Sequence, residues 1–341
     1  MINLNIIKNR NIWLIFSGIL VSLSIVSLFS WGLNFGIDFT GGNLLELKFS
    51  GQKPSVIEIR EELKDLSLSS LTVQMTETDS VILRFKDDNP QIHKDIMDRL
   101  NSLSASLNVD SDKNSNIEVK MDEASPEVII ESDSGIKAEI IENDLSENNE
   151  TFVEELRFDS VGPSIGKELK SKSFNTIFLV LIIIVLYISL VFRKVSRPVS
   201  SWKYGIAAIV ALFHDVLIVL GVFAVLGRFY NTEINTPFIA AILTVLGYSV
   251  NDTIIVFDRI RENLPKSVDN FVDTINKSIN QTLVRSLNTS FTTLLALIAI
   301  ILFGGATIRE FVLALAIGIF IGTYSSIFIA SPILVWFSRK R

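Results

Sequence analysis

Six stretches of the chain stay apolar long enough to cross a bilayer, whose hydrocarbon core takes roughly 20 helical residues. They run over Ile12–Leu33, Asn175–Phe192, Tyr204–Gly227, Pro237–Phe257, Leu287–Phe303 and Phe311–Phe337. A long polar segment, Asn34–Ser173, separates the first from the second, and the last five follow closely on one another. The expected layout is an N-terminus and first span over 1–33, a large domain over 34–173, and five spans over 174–341. The chain is 48% hydrophobic with a formal net charge of only −6, which fits a membrane protein carrying a sizeable polar part. Lys8 and Arg10 precede the first run as they would in a signal peptide. The run is long for that and no small-residue cleavage site follows, so it is expected to be a retained anchor.

Basic residues close to span ends mark the cytoplasmic side. Lys8 and Arg10, the loop with Arg193, Lys194, Arg197 and Lys203, the Asp258–Ser286 loop with Arg259, Arg261, Lys266, Lys277 and Arg285, and Arg339–Arg341 all fall on one side if the spans alternate. Both termini are therefore expected in the cytoplasm, and the acid-rich 34–173 segment outside.

Several chemistries lack their apparatus. Cysteine is absent, which rules out disulfides, thiolate metal sites and a Cys nucleophile. Two histidines, His93 and His214, cannot build a His-rich metal centre. The Gly166-Lys167 pair lacks P-loop spacing, and neither GxGxxG nor GxSxG occurs. No catalytic residue, cofactor, metal or nucleic-acid partner is expected.

The outer segment alternates between two periods. Asn43–Ser50, Ser70–Thr76, Val81–Lys86 and Thr151–Val161 read as strands. Pro54–Leu66 reads as a helix with Pro54 in its first turn and Ile57, Leu63 and Leu66 among its apolar positions; Pro90–Leu103 reads as a second helix. A polar turn, TETDS, joins the second and third strands. The order β-α-β-β-α-β predicts an α+β domain of ferredoxin-like fold. Ala105–Glu150 interrupts it with an acidic insertion, in which Ile117–Met121 and Ile136–Ile141 suit an extra hairpin and the high charge suits disorder.

Ionisable residues inside the spans carry the chemical signal, because a charge in hydrocarbon costs at least a few kcal/mol. His214 and Asp215 lie near the middle of the third span, and Asp252 follows Asn251 one to two turns from the cytoplasmic end of the fourth. Asn288, Ser290, Thr292 and Thr293 on the fifth span are expected to approach Asp252, with Arg285 reaching toward it from the inner edge. A carboxylate with a cation and hydroxyls around it can gain and lose a proton at modest cost, which a relay requires. The competing view makes these residues polar contacts that hold helices together. Gly247, Gly304, Gly305, Ser325 and Ser326 carry no specific signal.

Five motifs coincide: NFGIDFTGGNLLE (Asn34–Glu46), DSVGPSIGKEL (Asp159–Leu169), HDV (His214–Val216), GYSVNDTIIVFDRIREN (Gly247–Asn263) and SINQTLVRSLNTSFTTLLALIAIILFGG (Ser278–Gly305). Together they resemble the SecD/SecF family of protein-export membrane proteins, within the RND superfamily, over nearly the whole chain. The resemblance implies a polytopic α-helical protein of RND type in the bacterial cytoplasmic membrane. It implies a six-span partner, SecD, a place beside the SecYEG channel with YajC or YidC as further neighbours, and contact with translocating preprotein and membrane lipids. It implies that the proton motive force drives preprotein translocation and release on the outer face.

Carried over by motif, Asp252 is the candidate proton-coupling carboxylate and Arg285 its cationic partner, with Asp215 and His214 as further candidates. Asn251, Asn288 and Thr292 are supporting polar residues. Asp38, Gly41 and Gly42 on one side of the outer domain, and Gly162, Pro163 and Gly166 on the other, are candidate hinges or plain turns. The alternative function is half of an RND-type proton-driven exporter of small molecules or lipids; a third is a non-transporting scaffold or sensor. The insertion over 105–150 departs from the family pattern.

Overall fold

The computed structural model of the chain describes residues 4–76, 80–87, 89, 91–113, 152–192 and 200–338. The insertion beyond residue 113, the centre of the TETDS turn, and Arg193, Lys194, Arg197 and Arg339–Arg341 lie outside the described residues. In chain order the elements are α1 (Arg10–Trp31), α2 (Ile37–Thr40), β1 (Gly42–Phe49), α3 (Val56–Glu62), β2 (Ser69–Met75), β3 (Ser80–Lys86), α4 (Gln91–Lys113), β4 (Val153–Val161), α5 (Pro163–Val191), α6 (Ser201–Tyr230), α7 (Thr236–Asn263), α8 (Phe271–Phe303), α9 (Ala306–Ser325) and α10 (Ser331–Ser338). They form two compact units, Gly42–Gly162 and the remainder.

The 42–162 unit is an antiparallel sheet in the order β2-β3-β1-β4. With α3 and α4 as the crossovers this is the ferredoxin-like topology that the β-α-β-β-α-β order predicts. Alternation on β1 sends Leu45, Leu47 and Phe49 into the core, where they meet Val81, Leu83 and Phe85 of β3 and Ile59, Leu63, Ile96 and Leu100 of the helical layer. Ser55 starts α3 with a capping box: its hydroxyl accepts from Glu58 N, and Glu58 Oε2 accepts from Ser55 N at 2.7 Å. That cap corrects two expectations. Pro54 precedes the cap instead of sitting in the first turn, and the register it sets leaves Ile57 69% exposed while Ile59 is buried. Helix α4 also runs ten residues past the expected end at Leu103, to Lys113, into the start of the acidic segment.

The other unit is a bundle which, among the described residues, has six helices long and apolar enough to cross a membrane: α1, α5, α6, α7, α8, and α9 with α10. Half or more of the apolar stretch is buried in α6, α7 and α9–α10, whereas α5 buries only 6%. The fourth, third and sixth spans are thus the centre, and α1, α5 and α8 form the rim. On α1 the usual pattern is inverted. Its buried residues are Ser17, Ser24 and Ser27, while Ile12, Ile15, Phe16, Leu23 and Phe29 face outward. Lipid rewards outward apolar side chains, and small polar residues let helices approach. Ser27 donates to the Gly221 carbonyl of α6 at 3.0 Å, and a Cβ on Gly221 would stand 2.3 Å from Ser24 Cβ.

The α7–α9 contact fixes the centre. A Cβ at Gly318 would lie 2.2 Å from Val245 Cγ2, and one at Gly322 would lie 3.0 Å from Ser249 Cβ. Both helices advance by four residues between these contacts, so α7 and α9 run parallel with matched registers. Gly318 and Gly322 are a GxxxG pair, a spacing that permits such close approach. Gly247 and Gly305, by contrast, have open space where a Cβ would go.

Segment 34–41 is tied to the α6–α7 loop. Gly36 N donates to the Ile234 carbonyl at 2.8 Å and Ile234 N to the Asn34 carbonyl at 2.7 Å. Asp38 Oδ2 accepts from Thr236 N at 2.7 Å, satisfying the first N–H of α7 beside its N-cap Asn235. Gly41, at φ +72°, ends α2, and a Cβ on Gly166 of α5 would lie within 3.1 Å of the backbone of Phe39 and Gly41.

Candidate functional site: two buried carboxylates joined by serines

One step beyond the Ser249–Gly322 contact, the parallel registers of α7 and α9 bring Asp252 opposite the end of α9. Here the sixth span changes pitch. Ser326–Ala330 is a turn of π-helix between α9 and α10. Pro332 accounts for the widening: it has no N–H, and its ring crowds the carbonyl four residues back, at Phe328. The turn sets the consecutive residues Ser325 and Ser326 between α6 and α7.

Asp252 Oδ1 accepts from Ser286 Oγ of α8 at 2.5 Å, and Oδ2 accepts from Ser326 Oγ at 2.5 Å. Asp215 on α6 is fully buried. Its Oδ2 accepts from Ser249 Oγ of α7 at 2.6 Å and Ser325 Oγ at 2.8 Å, while Oδ1 pairs with His214 Nδ1 at 2.9 Å. Each contacting hydroxyl can donate to the oxygen it meets, so either acid can be satisfied as an ionised carboxylate. The two acids are linked twice: through the adjacent serines 325 and 326, and along α7 through Ser249 and Asp252, which share a face at a spacing of three.

The polar seam continues on both sides. Ser290 of α8 shares a 2.5 Å hydrogen bond with Thr323 and one of 3.3 Å with Tyr248. The His214 ring lies 6.3 Å from that of Tyr324, whose hydroxyl meets Ser17 Oγ of α1 at 3.0 Å. His214 Nε2 is buried without a hydrogen-bond partner among the described residues.

Several expectations need correction. The two acids are neighbours: Ser249, one turn before Asp252 on α7, bonds Asp215. Arg285 does not reach Asp252: it is exposed on α8, one position round the helix from Ser286, and no cation is in ion-pair contact with Asp252 among the described residues. Asn251, Asn288 and Thr292 are exposed as well, because α7 and α8 turn Asp252, Ser286 and Ser290 inward instead. Thr292 and Thr293 bond carbonyls of their own helix. Ser325 and Ser326, which carry no signal in the sequence, hold the site, as do the unmentioned Ser249 and Ser286. Ser249, three residues before Asp252, and the GxxxG pair and Pro332 flanking Ser325-Ser326, were the legible signs.

Comparison with known proteins places this architecture. The family described as protein export membrane protein SecD/SecF, C-terminal, matches residues 141–340, and the SecD/SecF GG motif matches residues 26–53. Protein translocase subunit SecF of Thermobaculum terrenum is 38% identical over 99% of this chain and 95% of its own. The SecF of Pseudomonas aeruginosa is 32% identical over 98% and 91%. Among solved structures, SecDF of Thermus thermophilus, a translocon-associated membrane protein, superposes with a TM-score of 0.75 at 29% identity. The match covers 99% of this chain but 39% of that longer one. A bundle of six spans bearing a ferredoxin-like unit between its first two, a GG motif at the junction and near-full-length likeness to SecF subunits have one common account: the chain belongs to the SecF family of the SecD/SecF protein-export membrane proteins.

Proposed function

We propose that the chain is an auxiliary, non-enzymatic subunit of the Sec translocase that works with SecD beside SecYEG. It draws on the proton motive force to promote preprotein translocation and release on the outer face of the cytoplasmic membrane. Both termini are cytoplasmic and the 42–162 unit is outside, supported by the one-sided spread of Lys and Arg. The observation that carries the coupling role is the pair of buried carboxylates linked through Ser325 and Ser326.

The chemistry follows from donor and acceptor roles. Ionised Asp252 holds hydroxyl donors from α8 and from the π turn, and so ties those helices to α7. A proton on either oxygen makes it a donor, and the serine there must turn or withdraw. Because Ser325 is the next residue, a shift of Ser326 reaches Asp215 at once. Arg285, Asn251, Asn288 and Thr292 have a different place in this scheme. Polar groups exposed on membrane-spanning helices are costly against lipid, so they mark the face that SecD covers. The Asp38-Gly41-Gly42 and Gly162-Pro163-Gly166 segments are the two connections through which bundle motion passes to the outer unit.

The test is Asp252→Asn in the native host, after showing that the variant inserts and retains SecD. Release of a secreted protein from the outer face is followed with and without the proton gradient. The coupling role predicts that the gradient-dependent part of release is lost. Unchanged release would sink it and leave Asp252 a packing residue.

A further inference from the structure

An apolar cavity of about 130 Å³ opens at the end of the bundle where α5 begins, between α5, α6, α7 and segment 33–39. Its wall includes Phe35, Phe39, Phe174, Phe238 and Ile242, and it extends down α6 to Val216, the neighbour of Asp215. Among the described residues, Lys170 and Ser173, one turn apart on α5, are the only polar ones lining it. The Lys170 ammonium sits 4.2 Å from the centroid of the Phe35 ring, a residue of the cavity wall. A void lined by such side chains stays dry, and cavities of this size take an apolar ligand as large as benzene. The position along α5 is also telling. Lys170 lies just before the long apolar run that starts at Phe174, the level at which a lysine in a membrane helix meets phosphate headgroups.

We propose that this cavity takes a short stretch of one acyl chain of an anionic phospholipid whose phosphate rests on Lys170. An ammonium beside an apolar slot supplies both recognition elements, charge for the headgroup and apolar wall for part of the tail. Phe178, exposed one turn beyond Phe174 of the wall, extends the apolar track along α5 outside the cavity. A bound chain would fill the space between the rim helix α5 and the central helices α6 and α7.

The site can be tested on the full-length chain, alone and co-purified with SecD, by native mass spectrometry in detergent with added phosphatidylglycerol or phosphatidylcholine. The proposal predicts retention of one phosphatidylglycerol, with roughly fivefold preference over phosphatidylcholine, the size expected of a single lysine at a lipid surface. Lys170→Gln, at an exposed position where the fold is not at risk, abolishes the preference. Ile239→Trp, which fills the cavity, lowers retention of both lipids. Equal retention of the two lipids by the unaltered chain overturns the proposal, as does indifference to both substitutions. Loss of the lipid whenever SecD is present also overturns it, since the partner's side chains then occupy the cavity.

Discussion

Replacing Gly318 by alanine adds one methyl group at the point where α9 lies closest to α7. That carbon would stand 2.2 Å from Val245 Cγ2, 2.7 Å from Cγ1 and 3.0 Å from Cβ. Ordinary carbon contacts lie near 3.5–4.0 Å, so the helices must part or Val245 must leave its rotamer. Overpacking of this kind costs about 1–3 kcal/mol, and alanine returns up to about 1 kcal/mol of helix propensity. The net expectation is a loss of about 1–2 kcal/mol. Val245→Ala alone leaves a void and also destabilises. In the double variant the new methyl enters the space that the valine methyls vacate, so the two losses do not add. The coupling should be about 1–2 kcal/mol in favour of the pair. Reversible unfolding of the four proteins by denaturant in detergent micelles measures it. Additive losses, or a Gly318→Ala protein as stable as the parent, would refute the account of the α7–α9 contact and of the register it sets.

Three further outcomes are expected. Ser326→Ala removes one of two donors to Asp252 and should cost about 1.5–3 kcal/mol in the same unfolding assay, while Ser325→Ala leaves Asp215 two other partners and should cost less; the reverse order would count against the assignment. Asp38→Ala removes the acceptor for Thr236 N while the Asn235 cap of α7 stays, and should cost about 1 kcal/mol, whereas Asp38→Asn, which keeps an acceptor for Thr236 N, should cost a fraction of that by thermal unfolding. Asp252→Asn keeps most of the packing and abolishes gradient-dependent release, so its effect should appear in export and not in insertion or in SecD retention.

Much of the architecture was legible from local pattern. Span length and hydropathy are properties of contiguous residues, and so is the switch between periods of two and 3.6 that laid out the ferredoxin-like unit. The acids on α6 and α7 stood out for the same reason: a carboxylate in an apolar run needs no neighbour to be conspicuous. The site's partners were not legible in that way. Arg285 and Ser286 are adjacent in sequence, yet one is exposed and the other grips Asp252, because adjacent helical residues point about 100° apart. Which of them faces inward is decided by the rotation of α8 against α7. Ser325 and Ser326 looked like any serines in a membrane helix until a π turn and a pair of glycines set them between two acids.

The chain's own pattern therefore determined that it has six spans, where its extramembrane unit lies and which acids are out of place. Only tertiary structure decided which hydroxyls satisfy those acids, and that a single pair of neighbouring serines joins them. The division has a plain cause. Burial and periodicity are summed along one helix, whereas a hydrogen bond across helices depends on the relative rotation, rise and separation of two, and a change of one residue in register replaces the partner.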